Sequence, residues 1–431
     1  MRVALITENA SVTPGPEDTY PAGPGAGLGA LATALAGLGA QVTVYAPGPG
    51  RAGAPARPRR RKLGPGAVLE QLSIGPAGPP RGTRSRARGQ AVPDGTGQDG
   101  KARDLTALRI RDLASQLATR WQDDPPDLVH AHSWATGVAA QAGSRGLNLP
   151  PVQTFYSLAA PGGPDAHPSR RARLELALAR SARAVLVGVS ADGAALRRRG
   201  VPQAAIRVVP AGVDTSHFQP DGPAASRDGG QPRLLMMLTG LAIDQGPAAA
   251  LRALAAVPGA ELLIAGGPDE AGLARDPGYQ ALRKLASQLG VADRVTLTGR
   301  VSRADTPALM RSADLLLNLS PDGMAAQVTI EAMACGVPVI AVSTSAHQDA
   351  VLDGTTGYLV SSTAPGPLAR RIRQLLATPL REGMAIAAAS RARDRYSWAR
   401  IGTETVAVYE TAVRDMAGGP ACAEAGPVDE A

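Results

Sequence analysis

Two short stretches carry the residues best suited to chemistry. In "DLVHAHSW", His130 and His132 close a predicted strand, and alternation along a strand puts both imidazoles on one face. A metal would need a third ligand, and the nearby sequence offers none. His132, at a strand's carboxyl end, either faces a ligand or makes a structural hydrogen bond. In "MAAQVTIEAMACGVPV", Glu331 is the only charged residue. A carboxylate presents two acceptor oxygens. A charged residue in such apolar company either is held by something polar or caps the helix expected to begin at Ala332, beside that helix's positive end. "GTGQDGKA" (95–102) has phosphate-loop spacing, but Ala102 stands where a hydroxyl must meet magnesium and turn-rich sequence precedes it. In a glycine-rich chain that match is chance. "GPGAGLGA" likewise fails to place G-x-G-x-x-G in register.

These residues need a scaffold, and the chain supplies one by repetition. "RVALIT", "QVTVYA", "VLEQLSI", "DLVHAH", "PVQTFY" and "AVLVGVS" read as strands, with helical stretches such as "GLGALATALAGLG" and "LTALRIRDLASQLATRW" between them. The pattern restarts with "RLLMMLTG", "AELLIAGG", "RVTLTG", "DLLLNLS", "VPVIAVS" and "TGYLVSS". Repeated strand–helix–strand units give parallel sheets covered by helices on both faces. The expected architecture is α/β, with two Rossmann-like, doubly wound domains facing across a cleft. Ligands belong at the carboxyl ends of both sheets. The expected divisions are 1–215, containing a basic loop at 51–100, and 216–395. A C-terminal helix at 396–415, free to return to the first domain, and a disordered tail at 416–431 follow.

Composition narrows the partners. The 431 residues are 44% hydrophobic but only 3% aromatic, so aliphatic side chains and alanine must fill the cores. Lysine occurs only at Lys62, Lys101 and Lys284, and arginine carries the positive charge. Ten basic residues lie between Arg51 and Arg88 against the single acid Glu70, which more than accounts for the net charge of +8. They sit in Pro/Gly-rich sequence without aromatics to stack on bases, so a solvated loop is expected and not a nucleic-acid contact, with a membrane contact left open but unsupported. Cys335 and Cys422 give neither a disulfide framework nor a metal spacing. The apolar run after Met1 ends at Glu8, too soon for a signal peptide, and no stretch reads as a membrane span, so a cytoplasmic location is expected.

"EAMACGVPVIA", with "DGTTGYLV", "LGVADRVTLTGRV", "LMRSADLLL" and "RYSWARI", resembles the family 4 (group 1) glycosyltransferases. "DLVHAHSW", "PVQTFYSLA" and "IRVVPAGVDTSHFQP" match upstream in the same order, over roughly residues 1 to 415. The resemblance is nearest to the bacterial branch related to sucrose synthases and mycothiol-pathway glycosyltransferases. It implies the GT-B fold, a nucleoside diphosphate sugar donor held mainly by the second domain, a small-molecule or glycan acceptor on the first, retaining transfer, and neither metal nor cofactor. It places His132 at the transferred sugar and Glu331 on the nucleotide ribose. Thr329 joins the donor side, and Gly23, Gly25 and Tyr156 the acceptor side.

Several positions depart from the family pattern. The glutamate that holds the sugar falls on Gly323, and the Phe-Gly after it on Ala325 and Ala326. The arginine and lysine that neutralise the diphosphate fall on Gly240 and Gln245, the histidine after "QTF" is Tyr156, and the paired glycines near Ser345 and Ala346 are absent. Removing one preorganised charge-stabilising group commonly costs ~10²–10³ in rate. The resemblance therefore leaves two expectations: an active enzyme, with Arg300 as a substitute cation, or an impaired homologue that binds nucleotide sugars or serves as a scaffold.

Overall fold

Most strands are short runs of buried aliphatic residues, as parallel strands covered on both faces must be. In this computed structural model, residues 1–9, 12–13, 19–20, 27–48, 59–74, 98–147, 149–159, 169–227, 229–243, 246–320, 325–377 and 379–417 are described, by backbone alone at 19–20, 98–106, 325 and 415–417. The first sheet contains β1 (Arg2–Ile6), β3 (Gln41–Pro47), β4 (Arg59–Gly64), β5 (Ala67–Leu72), β6 (Leu128–Ala131), β7 (Val152–Phe155), β8 (Val185–Val187) and β9 (Ile206–Val208). Their order is β4-β5-β3-β1-β6-β7-β8-β9, parallel throughout except for β4. The second sheet contains β10 (Arg233–Leu238), β11 (Glu261–Gly266), β12 (Val295–Gly299), β14 (Leu315–Asn318), β15 (Val339–Val342) and β16 (Gly357–Val360). It is wholly parallel in the order β12-β11-β10-β14-β15-β16.

Both orders reverse once. The chain leaves β1 toward β3 and β5 and returns on its other side as β6, and β10 is left toward β11 and β12 before the return as β14. Such switch points open a crevice at the strands' carboxyl ends. His132 follows β6 at one, and Gly240 follows β10 at the other.

Alternation assigns helices to faces. Val3 and Leu5 of β1 pack with α1 (Leu28–Gly37) and α14 (Trp398–Ala417). Ala4 and Ile6 pack with α2 (Gln98–Asp123) and α3 (Trp134–Gly143). α4 (Arg170–Ser181) and α5 (Ser190–Arg198) complete the first domain's helices. In the second domain, Leu234 and Met236 face α6 (Pro247–Ala255), α8 (Pro277–Gln288) and α12 (Pro365–Ala377), while α7 (Glu270–Leu273) is a single turn. Leu235 and Met237 face α9 (Thr306–Arg311), α10 (Ala325–Ala334) and α13 (Arg381–Tyr396), and α11 (Ser345–Ala350) joins that side.

One expectation is corrected here. The basic sequence does not form a loop from 51 to 100, because residues 59–64 form edge strand β4 and α2 begins at Gln98. Arg60 donates to Glu70 at 2.7 Å, and Arg120 of α2 donates to the other carboxylate oxygen. Glu70 is 1% exposed, so two guanidiniums compensate a buried charge and clamp β4 onto the sheet. The start of α2 also makes Gly100 and Lys101 helical, unlike a phosphate loop. Residues 51–58 and Arg81 to Arg88 lie outside the described residues, as does 418–431 of the tail.

Among the described residues, several contacts tie the domains. β2 (Thr19–Tyr20), from the first domain's β1–α1 connection, pairs antiparallel with β13 (Val301–Ser302) of the second. Asp349 of α11 accepts from the Ser190 backbone N–H at the start of α5, at 2.7 Å. Finally, α14 crosses back onto the first domain, where Ile401, Val408, Tyr409 and Ala412 share a core with Leu28, Leu31 and Leu35. Trp398 begins that helix between two glycines: a Cβ at Gly27 would lie 2.4 Å from its indole, and one at Gly212 would lie 2.5 Å from it.

We therefore expect Gly212→Ala to destabilise by about 1–3 kcal/mol through overpacking. Gly37→Ala, where a Cβ meets nothing within 4 Å, should be neutral or stabilising by up to about 1 kcal/mol. Thermal melts of the two variants check this, and equal melting temperatures would remove the Trp398 clamp as a constraint.

Candidate functional site

The first half of the site grows from the end of β6. His130 is fully buried, and its Nδ1 lies 2.6 Å from the Tyr409 hydroxyl of α14 while its Nε2 lies 2.7 Å from the Thr154 hydroxyl of β7. Both ring nitrogens are thus engaged, and burial, then His132, holds the imidazole neutral. His132 lies against it with ring centroids 4.1 Å apart. Its Nδ1 is 3.0 Å from the Tyr156 hydroxyl, while Tyr156 itself is 42% exposed. His132 is only 4% exposed, and its Nε2 has no hydrogen-bond partner among the described residues. Burial lowers its pKa to about 3. The ring is therefore neutral at ordinary pH and offers Nε2 as donor or acceptor, according to the tautomer that Tyr156 sets. Leaving such an atom unmatched costs roughly 1–3 kcal/mol, which a ligand hydroxyl would recover.

The second half grows from α10. Glu331 is not at a helix N-terminus, as the sequence suggested, but seven residues into α10. It is therefore no N-cap, and no helix begins at Ala332. Glu331 is 4% exposed. Its Oε1 accepts from Gln327 one turn earlier, at 3.0 Å, and Gln327 also donates to the Gly212 carbonyl at 3.2 Å. Arg303, between β13 and α9, brings Nη1 to 4.0 Å from the same carboxylate oxygen. Neither Gln327 nor Arg303 stood out in the sequence. Gln327 is legible only once 325–334 is known to be helical, because i and i+4 then share a face.

The other expected residues separate. Thr329 is fully buried and its hydroxyl accepts from Asn318 at 2.9 Å, so it fastens α10 to β14 instead of facing a ligand. Gly240 follows β10, its φ is outside the left-handed range, and a Cβ there would meet nothing within 4 Å. Arg300 is exposed, with its backbone N–H on the Pro268 carbonyl at 2.9 Å. Gly23, Gly25, Gln245 and Gly323 lie outside the described residues. Cys335 is buried and its thiol is pushed up to about 12, so it is no nucleophile at neutral pH. Among the described residues, no three His, Cys, Asp or Glu side chains come together as metal ligands, and no helix is long and apolar enough to cross a membrane.

Burial of His132 makes stability depend on pH. Between about 3, its folded value, and the ordinary 6.5, the unfolded chain takes up a proton that the folded chain refuses. Stability from this group is complete above pH 6.5 and falls as pH drops toward 3, by at most about 1.4 kcal/mol per unit. Melting temperature should therefore fall between pH 7 and pH 5, and His132→Gln should flatten that slope. A variant with the wild-type slope would show that the folded protein protonates His132 freely.

Comparison with known proteins covers both halves. Residues 22–212 match the model for a glycosyl transferase 4-like domain, and residues 222–393 match that for glycosyl transferases group 1. A D-inositol 3-phosphate glycosyltransferase of Mycobacterium tuberculosis is 33% identical over 301 residues, which are 67% of this chain and 62% of the relative. The chain thus spans less than two thirds of that relative's length. Sucrose-phosphate synthase from Thermosynechococcus elongatus aligns with a TM-score of 0.73 at 21% identity, over 96% of this chain and 99% of its own. Anabaena HepE, solved in complex with UDP and glucose, aligns with a TM-score of 0.63 at 17% identity, over 95% and 99%.

Proposed function

The chain belongs to the group 1 glycosyl transferases, with the GT-B fold of family 4, and from that premise we propose that it transfers a sugar from a nucleoside diphosphate sugar to a small-molecule or glycan acceptor. The observation that carries the reading is His132: a buried, neutral imidazole at the switch point of the first sheet, with Nε2 unpartnered among the described residues. A sugar hydroxyl is the group it suits. The HepE complex with UDP and glucose supports a nucleotide sugar as the ligand class, and so does the name of the mycobacterial relative.

In this reading Glu331 receives the ribose hydroxyls and the anomeric carbon lies near His132. The acceptor oxygen attacks that carbon on the face from which the diphosphate leaves, so configuration is retained. The C–O bond to the acceptor forms as the C–O bond to phosphate breaks, and the acceptor's proton passes to the departing phosphate oxygen. No resident metal is invoked, so cationic side chains and backbone dipoles must stabilise the diphosphate.

Gly240 favours a second reading, in which the cleft binds nucleotide sugars but turns them over slowly. It leaves open space where the family pattern carries a cation. Gly240→Arg should then raise nucleotide-sugar affinity or turnover, because two to three negative charges enter a cleft where interactions are stronger than in water. Fast wild-type transfer would overturn the impaired reading.

The proposed donor site is tested by calorimetry with UDP, GDP and their sugar conjugates, followed by assays for hydrolysis. The wild type should bind at least one of them. Glu331→Ala should weaken that binding by about ten- to a hundredfold, since hydrogen bonds to charged groups contribute about 1.5–3 kcal/mol, and should leave circular dichroism unchanged. Undiminished affinity would return Glu331 to a purely structural role, and absence of binding in the wild type would overturn the donor site itself.

A further inference from the structure

Arg303 sits in the turn between β13 and α9, one residue past the strand pair that joins the domains. Its side chain is 21% exposed, and its guanidinium lies over the Phe218 ring at 5.2 Å. The Arg303 carbonyl is 3.0 Å from His217 Nε2, which helps fix the turn. Among the described residues its one acidic partner is Glu331, at 4.0 Å from Nη1, beyond hydrogen-bond distance. Among the described residues, the guanidinium makes no hydrogen bond. Five N–H donors are thus largely withdrawn from water with no acceptor at bonding distance. An unmatched charged donor is costlier than an unmatched neutral one.

We propose that Arg303 is a donor-binding residue whose guanidinium contacts the diphosphate of the nucleotide held by Glu331, supplying positive charge that Gly240 does not. This rests on the donor site proposed above and names a residue within it. Three facts favour Arg303. It lies beside the carboxylate assigned to the ribose, whereas Arg300 is exposed, with its backbone N–H on the Pro268 carbonyl. It is held on one face by an aromatic ring, so its fork is preorganised. Its free donors match phosphate oxygens, which accept two parallel N–H bonds from an arginine.

Calorimetric titration of the intact chain with UDP and with uridine separates a phosphate contact from a structural one. Arg303→Gln should weaken UDP binding by at least about tenfold, change uridine binding little, and flatten the loss of UDP affinity between 50 and 300 mM salt. Arg303→Lys keeps the charge beside Glu331 but not the fork, and should fall between the two while melting like the wild type. UDP binding unchanged in Arg303→Gln overturns this inference alone. Equal loss of UDP and uridine, with a lowered melting temperature rescued by Arg303→Lys, assigns Arg303 to the folding of Glu331 and also overturns it. A wild type that binds neither UDP nor GDP overturns the donor site and this inference together.

Discussion

The hydrogen bond between Tyr409 and His130 is the contact on which the site's geometry turns. It joins the last helix of the chain to the central region of the first sheet, 279 residues away in sequence, at 2.6 Å. Burial raises the Tyr409 pKa and lowers that of His130, so both partners are neutral. A neutral pair avoids the desolvation cost of a buried ion pair. Since Thr154 takes the other nitrogen, the His130 ring cannot rotate without losing two buried hydrogen bonds. His132 stacks on that fixed ring and takes its orientation from it, with Tyr156 setting the remaining nitrogen. The C-terminal helix thus bears on the first domain's candidate site through His130, although it follows the whole second domain in the chain.

That dependence explains the close fit elsewhere along α14. Trp398 can approach the chain only because Gly27 and Gly212 lack a Cβ, and Gly402 lets the helix reach Ala34, where a Cβ would lie 3.0 Å away. Tyr409 is about two turns beyond Gly402, with its position set by these contacts. Gly212 also belongs to the segment between the domains, and its carbonyl accepts from Gln327 of α10. The same glycine therefore touches the helix that completes one half of the site and the side chain that holds Glu331 in the other.

Much of this was legible in the sequence, and the exceptions share a cause. Strands such as "RLLMML" and "AVLVGV" announce themselves because buried parallel strands are continuous aliphatic runs. β4 does not, since "RRRKLG" is a strand only through Glu70, whose two arginine partners come from β4 and α2. "VTI" before Glu331 has the β-branched look of a strand, yet it lies inside α10 with Val328 and Ile330 in the core, so tertiary burial overrode propensity. His132 and Glu331 could be singled out because polar residues in apolar runs are conspicuous. Arg303 could not, being one arginine among many in a short turn, and its distinction lies only in what stands around it.

Glu331 illustrates why the two halves need not compete for one carboxylate. Gln327 and Arg303 both approach Oε1. A carboxylate has about four lone-pair sites, so one amide donor does not exhaust it. The amide fixes the rotamer, which lowers the entropy lost when a ligand binds. Arg303 at 4.0 Å offsets the charge without occupying a lone pair. At 4% exposure, the charge of Glu331 is thus offset by the Gln327 amide and the Arg303 guanidinium, which lowers the cost that a lone buried glutamate would impose on α10.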